Sequence, residues 1–132
     1  MKVDPKHIRI GRIGEQIAAD YLCGKRFEII CRNYRQKSGE IDIVAKINSM
    51  IHFVEVKTVS CENLKNSDRI SGYRPEDNVH RWKRERLKRA ISIFLQEKYS
   101  DLEPDWQFDI ITVEIDDMNK IARVNFIKDI II

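Results

Sequence analysis

Four residues near the middle of the chain have the types and the spacing of a site for a divalent cation. One residue separates Glu40 from Asp42, and one residue separates Glu55 from Lys57. Successive side chains of a strand point to opposite faces, so each pair projects from one face of its strand. Carboxylates are ligands for hard cations such as Mg²⁺, and a lysine amine beside them can orient water next to a phosphate.

The segments that carry these pairs are predicted to form an antiparallel hairpin. Residues 40–46 and 50–59 read as strands, and Asn48-Ser49 between them suits a tight turn. A two-residue turn pairs Ile47 with Met50, which places Asp42 opposite Glu55 and Glu40 opposite Lys57.

Opposed carboxylates repel each other, so the pair of Asp42 and Glu55 needs a physical reason. Burial would make the two groups share a proton, or would favour a cation that offsets their charge. An open polar face with Glu40 paired to Lys57 is the alternative. Apolar residues are predicted to cover both faces of the hairpin: Ile41, Ile43, Val54 and Val56 on one, and Val44, Ile51 and Phe53 on the other.

Two further residues lie on helical segments that could reach this site. Glu15 borders an apolar stripe with Gly11 and Ala18, where an ordinary solvated glutamate is the simpler interpretation. Lys83 stands four residues before Leu87, on the apolar side of a second helix. Its amine either extends to the surface or contacts a substrate phosphate.

Basic residues are densest at the start of that second helix. Six Lys or Arg and one acid fall between positions 81 and 89, with an aromatic residue among them. Charge runs are commonly solvated helix faces, but cations interleaved with aromatics suit phosphate attraction and base stacking. The predicted nucleic-acid contacts are Arg74, Arg81, Trp82, Lys83, Arg84 and Arg86.

Hydrophobic periodicity predicts one α/β domain over residues 1–132, in the order α-β-β-β-α-β-β. Helices are expected at 8–23, ending at Gly24, and at 79–99. Residues 33–39 read as a turn, and residues 60–78 as a long flexible loop that either contacts substrate or lacks a function. The predicted strands are 27–32, 40–46, 50–59, 106–115 and 121–127, the last two joined by a turn at Asp116-Asp117.

Composition limits the class of protein. The chain has 132 residues, 34% of them charged, and a net charge of +3, which is ordinary for a globular domain. No segment resembles a signal peptide or a bilayer-spanning helix, so a cytoplasmic protein is expected. Three cysteines without C-x-x-C spacing favour neither disulfides nor zinc, and the three scattered histidines receive no role.

The motifs together resemble a known family. Asp42 followed by Glu55-Val56-Lys57 matches the PD-(D/E)xK nuclease signature, a short pattern that also arises by chance. Longer motifs surround it: residues 11–18 (Gly-Arg-Ile-Gly-Glu-Gln-Ile-Ala), Asn33-Tyr-Arg35, Gly39-Glu-Ile-Asp42 and Phe108-Asp109. That succession resembles the YraN-like family, bacterial proteins related to restriction endonucleases and Holliday junction resolvases.

The resemblance implies a restriction-endonuclease-like core, with a central mixed β-sheet flanked by helices. Glu15, Asp42, Glu55 and Lys57 match the catalytic positions. Asp42, Glu55 and the Val56 carbonyl would hold Mg²⁺ or Mn²⁺, supported by Glu40. The implied activity is hydrolysis of phosphodiester bonds in DNA, including branched or damaged DNA. Analogy to junction resolvases also implies a homodimer.

Two positions depart from the family pattern. Val59 and Gln107 each stand where the family usually has arginine, which affects expected substrate contacts more than metal binding. Two rival functions remain: a nucleic-acid-binding module with a vestigial nuclease site, and a scaffold protein whose acids face water.

Overall fold

The computed structural model describes residues 5–61 and 81–132. In this part of the chain two helices and five strands follow one another in the predicted order α-β-β-β-α-β-β. The helices are α1 (Lys6–Gly24) and α2 (Arg81–Tyr99). The strands are β1 (Glu28–Gln36), β2 (Gly39–Ile47), β3 (Met50–Ser60), β4 (Asp105–Asp116) and β5 (Ile121–Ile127).

The strands form one mixed sheet in the order β1-β2-β3-β4-β5. The pairs β1–β2, β2–β3 and β4–β5 are antiparallel, whereas β3 and β4 run parallel. Parallel neighbours need a long crossover, and α2 lies in the crossover between these two strands. The predicted α/β class with a central mixed sheet is therefore confirmed.

Helix α1 covers one face of the sheet. Its buried residues Ile10, Ala18 and Leu22 pack in one apolar cluster with Ile43 and Val54 of the central strands. These positions recur at helical spacing, so they form a continuous stripe toward the sheet. Burial of that stripe fixes the rotation of α1 about its axis, and with it the direction of the polar side chains beside the stripe.

Helix α2 covers the opposite face. Ala90, Ile91 and Phe94 form a second buried cluster with Val44 and Phe53. The ring of Phe94 meets that of Phe53 edge to face, with centroids 5.6 Å apart, a favourable aromatic geometry. Because the sheet is covered on both sides, polar groups on its central strands lie at the edges of apolar surface.

Helix α1 ends differently from the prediction. Gly24 is the last residue of the helix, but its φ is not positive. The left-handed residue that ends the helix is Arg26, with φ 70°. The Phe27 N–H donates to the Leu22 carbonyl and the Arg26 N–H to the Cys23 carbonyl, both at 3.0 Å. These bonds form a Schellman motif, in which the contact of Phe27 with Leu22 closes the helix end.

The prediction for β1 was wrong at its end. This strand continues to Gln36, and the turn to β2 consists of residues 37–38 rather than 33–39. Pairing with β2 offsets the low strand propensity of the polar sequence Asn33-Tyr-Arg35.

The other boundaries lie close to their predicted positions. The turn at Asn48-Ser49 is confirmed, and β5 has the predicted bounds. Asp116 belongs to β4, so the β4–β5 turn begins at Asp117 instead. Most of the predicted loop 60–78 and the start of the predicted helix 79–99 lie outside the described residues. Neither described helix is long and apolar enough to cross a bilayer.

Candidate metal and nucleic-acid site

The candidate site lies where strand β2 breaks its alternation. Ile43 packs in the cluster under α1, whereas Ile41 packs in the cluster under α2. Residues two positions apart in a regular strand share a face, so the predicted placement of Ile41 beside Ile43 was wrong. The irregularity falls at Asp42, between them.

Strand β1 has a matching irregularity at Asn33. Arg32 pairs with Ile43, and Tyr34 pairs with Ile41. Between these pairs the backbone of Asn33 adopts the left-handed conformation, with φ 54°, which asparagine tolerates better than most residues. The side chains of both Arg32 and Asn33 therefore reach α1, while Tyr34 contacts Phe94 on the other side.

The predicted register of the β2–β3 hairpin holds from Ile47–Met50 to Ile43–Val54, where the described ladder ends. At the next position Asp42 Oδ2 accepts a hydrogen bond from the Val56 N–H at 2.8 Å. A side-chain oxygen thus takes the position of a backbone acceptor, and the expected direct pairing of Asp42 with Glu55 does not form within the ladder. Glu40 pairs with Arg35 at 3.5 Å rather than with Lys57.

Burial changes the acidity of Asp42. Desolvation is the largest cause that raises the pKa of its carboxyl, the Val56 N–H bond acts in the opposite direction, and the charges of Glu55, Glu15 and Glu40 also raise it, so that the pKa of Asp42 is about 6. A carboxyl group so placed accepts either a proton or a cation near neutral pH. The sequence predicted that two acids at the edge of buried surface would need a proton or a cation to offset their repulsion. In the structure Asp42 is an acid in such a position.

Glu55 is held by two lysines. Its Oε1 lies 2.8 Å from the Lys83 amine and 3.8 Å from the Lys57 amine. The first distance is that of a charge-assisted hydrogen bond, and the second is a looser ion pair. The interpretation that Lys83 only extends to the surface is thus wrong, because its amine turns into the site.

Two clefts meet at Asp42. The first, of about 470 Å³, lies between the sheet and α2 and is lined by Asp42, Glu55 and Lys83 among others. The second, of about 340 Å³, lies beside α1 and is lined by Glu15, Asp42 and Val56 among others. Asp42 therefore lines a cleft on each face of the sheet, with Glu40 and Glu55 on the α2 side and Glu15 on the α1 side.

Glu15 is fixed by strand β1. Its Oε1 accepts hydrogen bonds from Asn33 Nδ2 at 2.9 Å and Arg32 Nη2 at 3.3 Å, and its side chain is 18% exposed. The interpretation of Glu15 as an ordinary solvated glutamate is wrong, since it lies partly buried in a polar network directed at Asp42.

Close packing of α1 on β3 brings Glu15 to this position. A Cβ at Gly14 would lie 2.6 Å from Thr58 Cγ2 and 2.8 Å from Thr58 Cβ, so only glycine fits there. Thr58 follows Lys57 directly. The contact of Gly14 with Thr58 therefore ties the acid of α1 to the lysine of β3.

The predicted nucleic-acid residues divide into three groups. Lys83 lines the first cleft, as does Arg86, whose Nε also donates to the Ser38 carbonyl at 2.8 Å. Arg84 lies half-buried on α2. The side chains of Arg81 and Trp82, and the whole of Arg74, lie outside the described part of the structure.

The carboxylates of the site offer a partial set of ligands for a hard cation. Within residues 5–61 and 81–132, no three His, Cys, Asp or Glu side chains form a complete metal-ligand group. Asp42 and Glu55 do line one cleft. Mg²⁺ commonly uses one or two carboxylates and fills its remaining positions with water and phosphate oxygens, and this pair of acids fits that pattern.

Sequence reasoning missed several residues that build the site. Arg32 and Asn33 were assigned to a strand end and a turn, yet both orient Glu15. Outside the site, His52 received no role, but its Nδ1 lies 2.6 Å from Asp109 Oδ2 in the buried interior. The available signal for Asn33 was its place in the motif Asn33-Tyr-Arg35.

The structure defines a small α/β protein whose mixed sheet presents an acidic, lysine-flanked cleft. The sequence profile of the uncharacterised protein family UPF0102 matches residues 14–113, so the chain belongs to this family, and the resemblance to YraN-like proteins is confirmed at that level. Similar proteins, each called a UPF0102 protein, occur in Caldicellulosiruptor bescii (35% identical, covering 92% of this chain and 95% of that protein), Campylobacter fetus (37%, 92% and 97%) and Symbiobacterium thermophilum (39%, 80% and 82%).

Proposed function

We propose that the protein is a metal-dependent endonuclease that hydrolyses phosphodiester bonds in DNA, on a restriction-endonuclease-like core of the PD-(D/E)xK type. One observation carries the proposal: Asp42, Glu55 and Lys83 line a single cleft, with Lys57 beside Glu55. Two acids for a cation and two amines for a phosphate are the groups that this reaction requires.

Asp42 and Glu55, with the Val56 carbonyl, would hold Mg²⁺ or Mn²⁺. Glu15 and Glu40 would support the site from its two sides. The bound ion supplies positive charge that stabilises the phosphorane-like transition state and acidifies water. The Asp42–Val56 hydrogen bond keeps the carboxylate in the gap between β2 and β3, so the ligand is positioned before the ion arrives.

The lysines have separate tasks. Lys57, 3.8 Å from Glu55, would orient the attacking water by a hydrogen bond from its ammonium, and the water proton would pass to solvent as the water oxygen bonds to phosphorus. The ester oxygen on the far side of phosphorus leaves and takes up a proton from solvent. Basic residues of α2, including Arg84 and Arg86, attract the nucleic-acid backbone through its charge.

Cleavage assays with purified protein test this proposal. Duplex, single-stranded and four-way-junction DNA are incubated with Mg²⁺, Mn²⁺ or EDTA. We expect metal-dependent cleavage that Glu55→Gln and Lys57→Ala each reduce at least about 100-fold, because each removes a group that acts on the transition state. The exposed Glu103, outside the cleft, provides the matched control Glu103→Gln, which retains activity.

The second candidate is a nucleic-acid-binding module without cleavage, favoured by the ion pairs that Glu15 forms with Arg32 and Glu55 forms with Lys83. Retention of DNA at low salt with no cleavage in either metal identifies this function. Cleavage that survives both Glu55→Gln and Lys57→Ala comes from a contaminant and refutes the proposed endonuclease activity.

Light scattering with and without junction DNA tests the expected homodimer.

A further inference from the structure

The shortest ion pair of the candidate site joins Glu55 to Lys83. The Lys83 amine lies 2.8 Å from Glu55 Oε1, and the two side chains are 32% and 19% exposed. Lys57 approaches the same oxygen only to 3.8 Å. Lys83 is thus the principal counterion of a carboxylate that lines the cleft together with Asp42.

We propose that a divalent cation displaces the Lys83 ammonium from Glu55, and that the displaced amine then binds a phosphate of the nucleic acid. This proposal rests on the proposed function. It assigns Lys83 two successive partners, Glu55 in the metal-free protein and a substrate phosphate in the metal-loaded one, so that phosphate binding by Lys83 is coupled to metal binding.

Electrostatics favour the exchange. An ammonium 2.8 Å from Glu55 would lie beside any cation bound by that carboxylate, and like charges at such a separation repel strongly in a partly buried site. The lysine stem has four flexible carbons, so its amine can leave one oxygen for another without movement of the helix. Lys83 stands in the same cleft as Arg86, where a phosphate would find both cations.

The alternative counterion, Lys57, is a poorer candidate for displacement. It lies two residues from Glu55 on the same strand, and its amine is already 3.8 Å away. Lys83 belongs to another element, so release of its amine leaves the strand geometry of the site intact.

The exchange makes metal and nucleic-acid binding cooperative. Without metal, Lys83 neutralises Glu55 and contributes little positive charge to an incoming backbone. With metal, the same amine becomes available to phosphate. Reciprocity of linkage requires that nucleic acid raise the affinity for metal by the same factor.

Titration of the full chain with Mn²⁺, without nucleic acid, tests the first half of the proposal. Lys83→Met removes the competing ammonium, so we expect Mn²⁺ to bind about 2–5-fold more tightly, the range set by a partly exposed ion pair. Lys83→Arg retains the charge and should bind Mn²⁺ like the unaltered protein. Lys88 is an exposed lysine of the same helix, and Lys88→Met, the matched control, should leave the affinity unchanged.

Oligonucleotide binding tests the second half. The unaltered Lys83 and the Met variant are compared in proteins that also carry Lys57→Ala, which blocks strand cleavage under the proposed function. In EDTA the two proteins should bind a duplex oligonucleotide equally. In Mn²⁺ the protein that retains Lys83 should bind several-fold more tightly.

The outcomes separate the two proposals. Mn²⁺ affinity of Lys83→Met equal to or below that of the unaltered protein overturns the exchange but leaves the proposed endonuclease intact. Absence of Mn²⁺ binding in every variant overturns both. Circular dichroism melting of each variant verifies that a change in affinity does not arise from unfolding.

Discussion

The Asp42 carboxylate accepts the backbone N–H of Val56 at 2.8 Å, one position beyond the end of the described β2–β3 ladder. A sheet hydrogen bond is thereby exchanged for one to a charged side chain, which holds Asp42 in the gap between two central strands. Satisfying the Val56 amide there offsets the cost of opening the ladder. The candidate ligand is consequently built into the backbone geometry of the sheet.

Replacing Asp42 by asparagine should stabilise the metal-free protein at neutral pH. Burial first, and then three neighbouring acids, raise the pKa of Asp42 to about 6, against an ordinary value of 3.8. An asparagine side chain is neutral, and its amide oxygen can still accept the Val56 N–H. We expect Asp42→Asn to raise the free energy of unfolding by about 1–3 kcal/mol at pH 7.5 in EDTA, measured by urea denaturation, and to abolish Mn²⁺ binding.

The pH dependence of this gain has a definite sign. Between about pH 4 and about pH 6 the folded chain retains an Asp42 proton that the unfolded chain has released, so the stability contributed by Asp42 falls as pH rises. The advantage of Asp42→Asn should therefore vanish near pH 4 and be complete above pH 7. An advantage that is constant with pH would contradict the raised pKa.

The affinity for Mn²⁺ should depend on the protonation state of Asp42. A cation binds the ionised carboxylate, so protonation of Asp42 competes with Mn²⁺ below its pKa. We expect the association constant for Mn²⁺ to increase up to tenfold per pH unit below about pH 6 and to level off above about pH 7, as measured by calorimetry from pH 5 to pH 8. A flat profile over this range would exclude Asp42 as a ligand.

The order of elements could be predicted from the sequence because it depends on local patterns. The apolar stripe of α1, the hairpin turn at Asn48-Ser49 and the alternation in β5 each act over a few residues. The end of β1 could not, since Asn33-Tyr-Arg35 has turn-like composition and becomes strand only by pairing with β2.

The residues of the candidate site could be grouped from the sequence, but their geometry could not be predicted. Strand spacing grouped Asp42, Glu55 and Lys57, and the family resemblance added Glu15. The expected pairing failed because regular alternation was assumed through Asp42, whereas the strand is irregular there. A left-handed residue on the neighbouring strand, Asn33, leaves no periodic signal in its own segment.

Gly14→Ala should damage the site more than the fold. A methyl group at position 14 would overlap the Thr58 side chain, so α1 must move away from β3 and carry Glu15 with it. We expect a loss of about 1–3 kcal/mol of stability from overpacking, together with a loss of cleavage activity at temperatures where the variant is folded. Thr58→Ala in the same chain removes both crowding side-chain atoms, Oγ1 and Cγ2, and should restore part of both, which a general unfolding effect would not.

The final prediction separates the two tasks of Asn33, its left-handed backbone and its hydrogen bond to Glu15. Asn33→Gly adopts a positive φ without strain but cannot contact Glu15, so its stability should lie within about 1 kcal/mol of the unaltered protein. Asn33→Ala also lacks the contact and in addition strains the backbone, which should cost about 1–2 kcal/mol more. Chemical denaturation measures that difference. If Glu15 acts in the site, both variants should lose activity to the same extent when assayed well below their melting temperatures. Equal stability of the two variants would refute the left-handed conformation, and full activity in Asn33→Gly would show that Glu15 needs no support from β1.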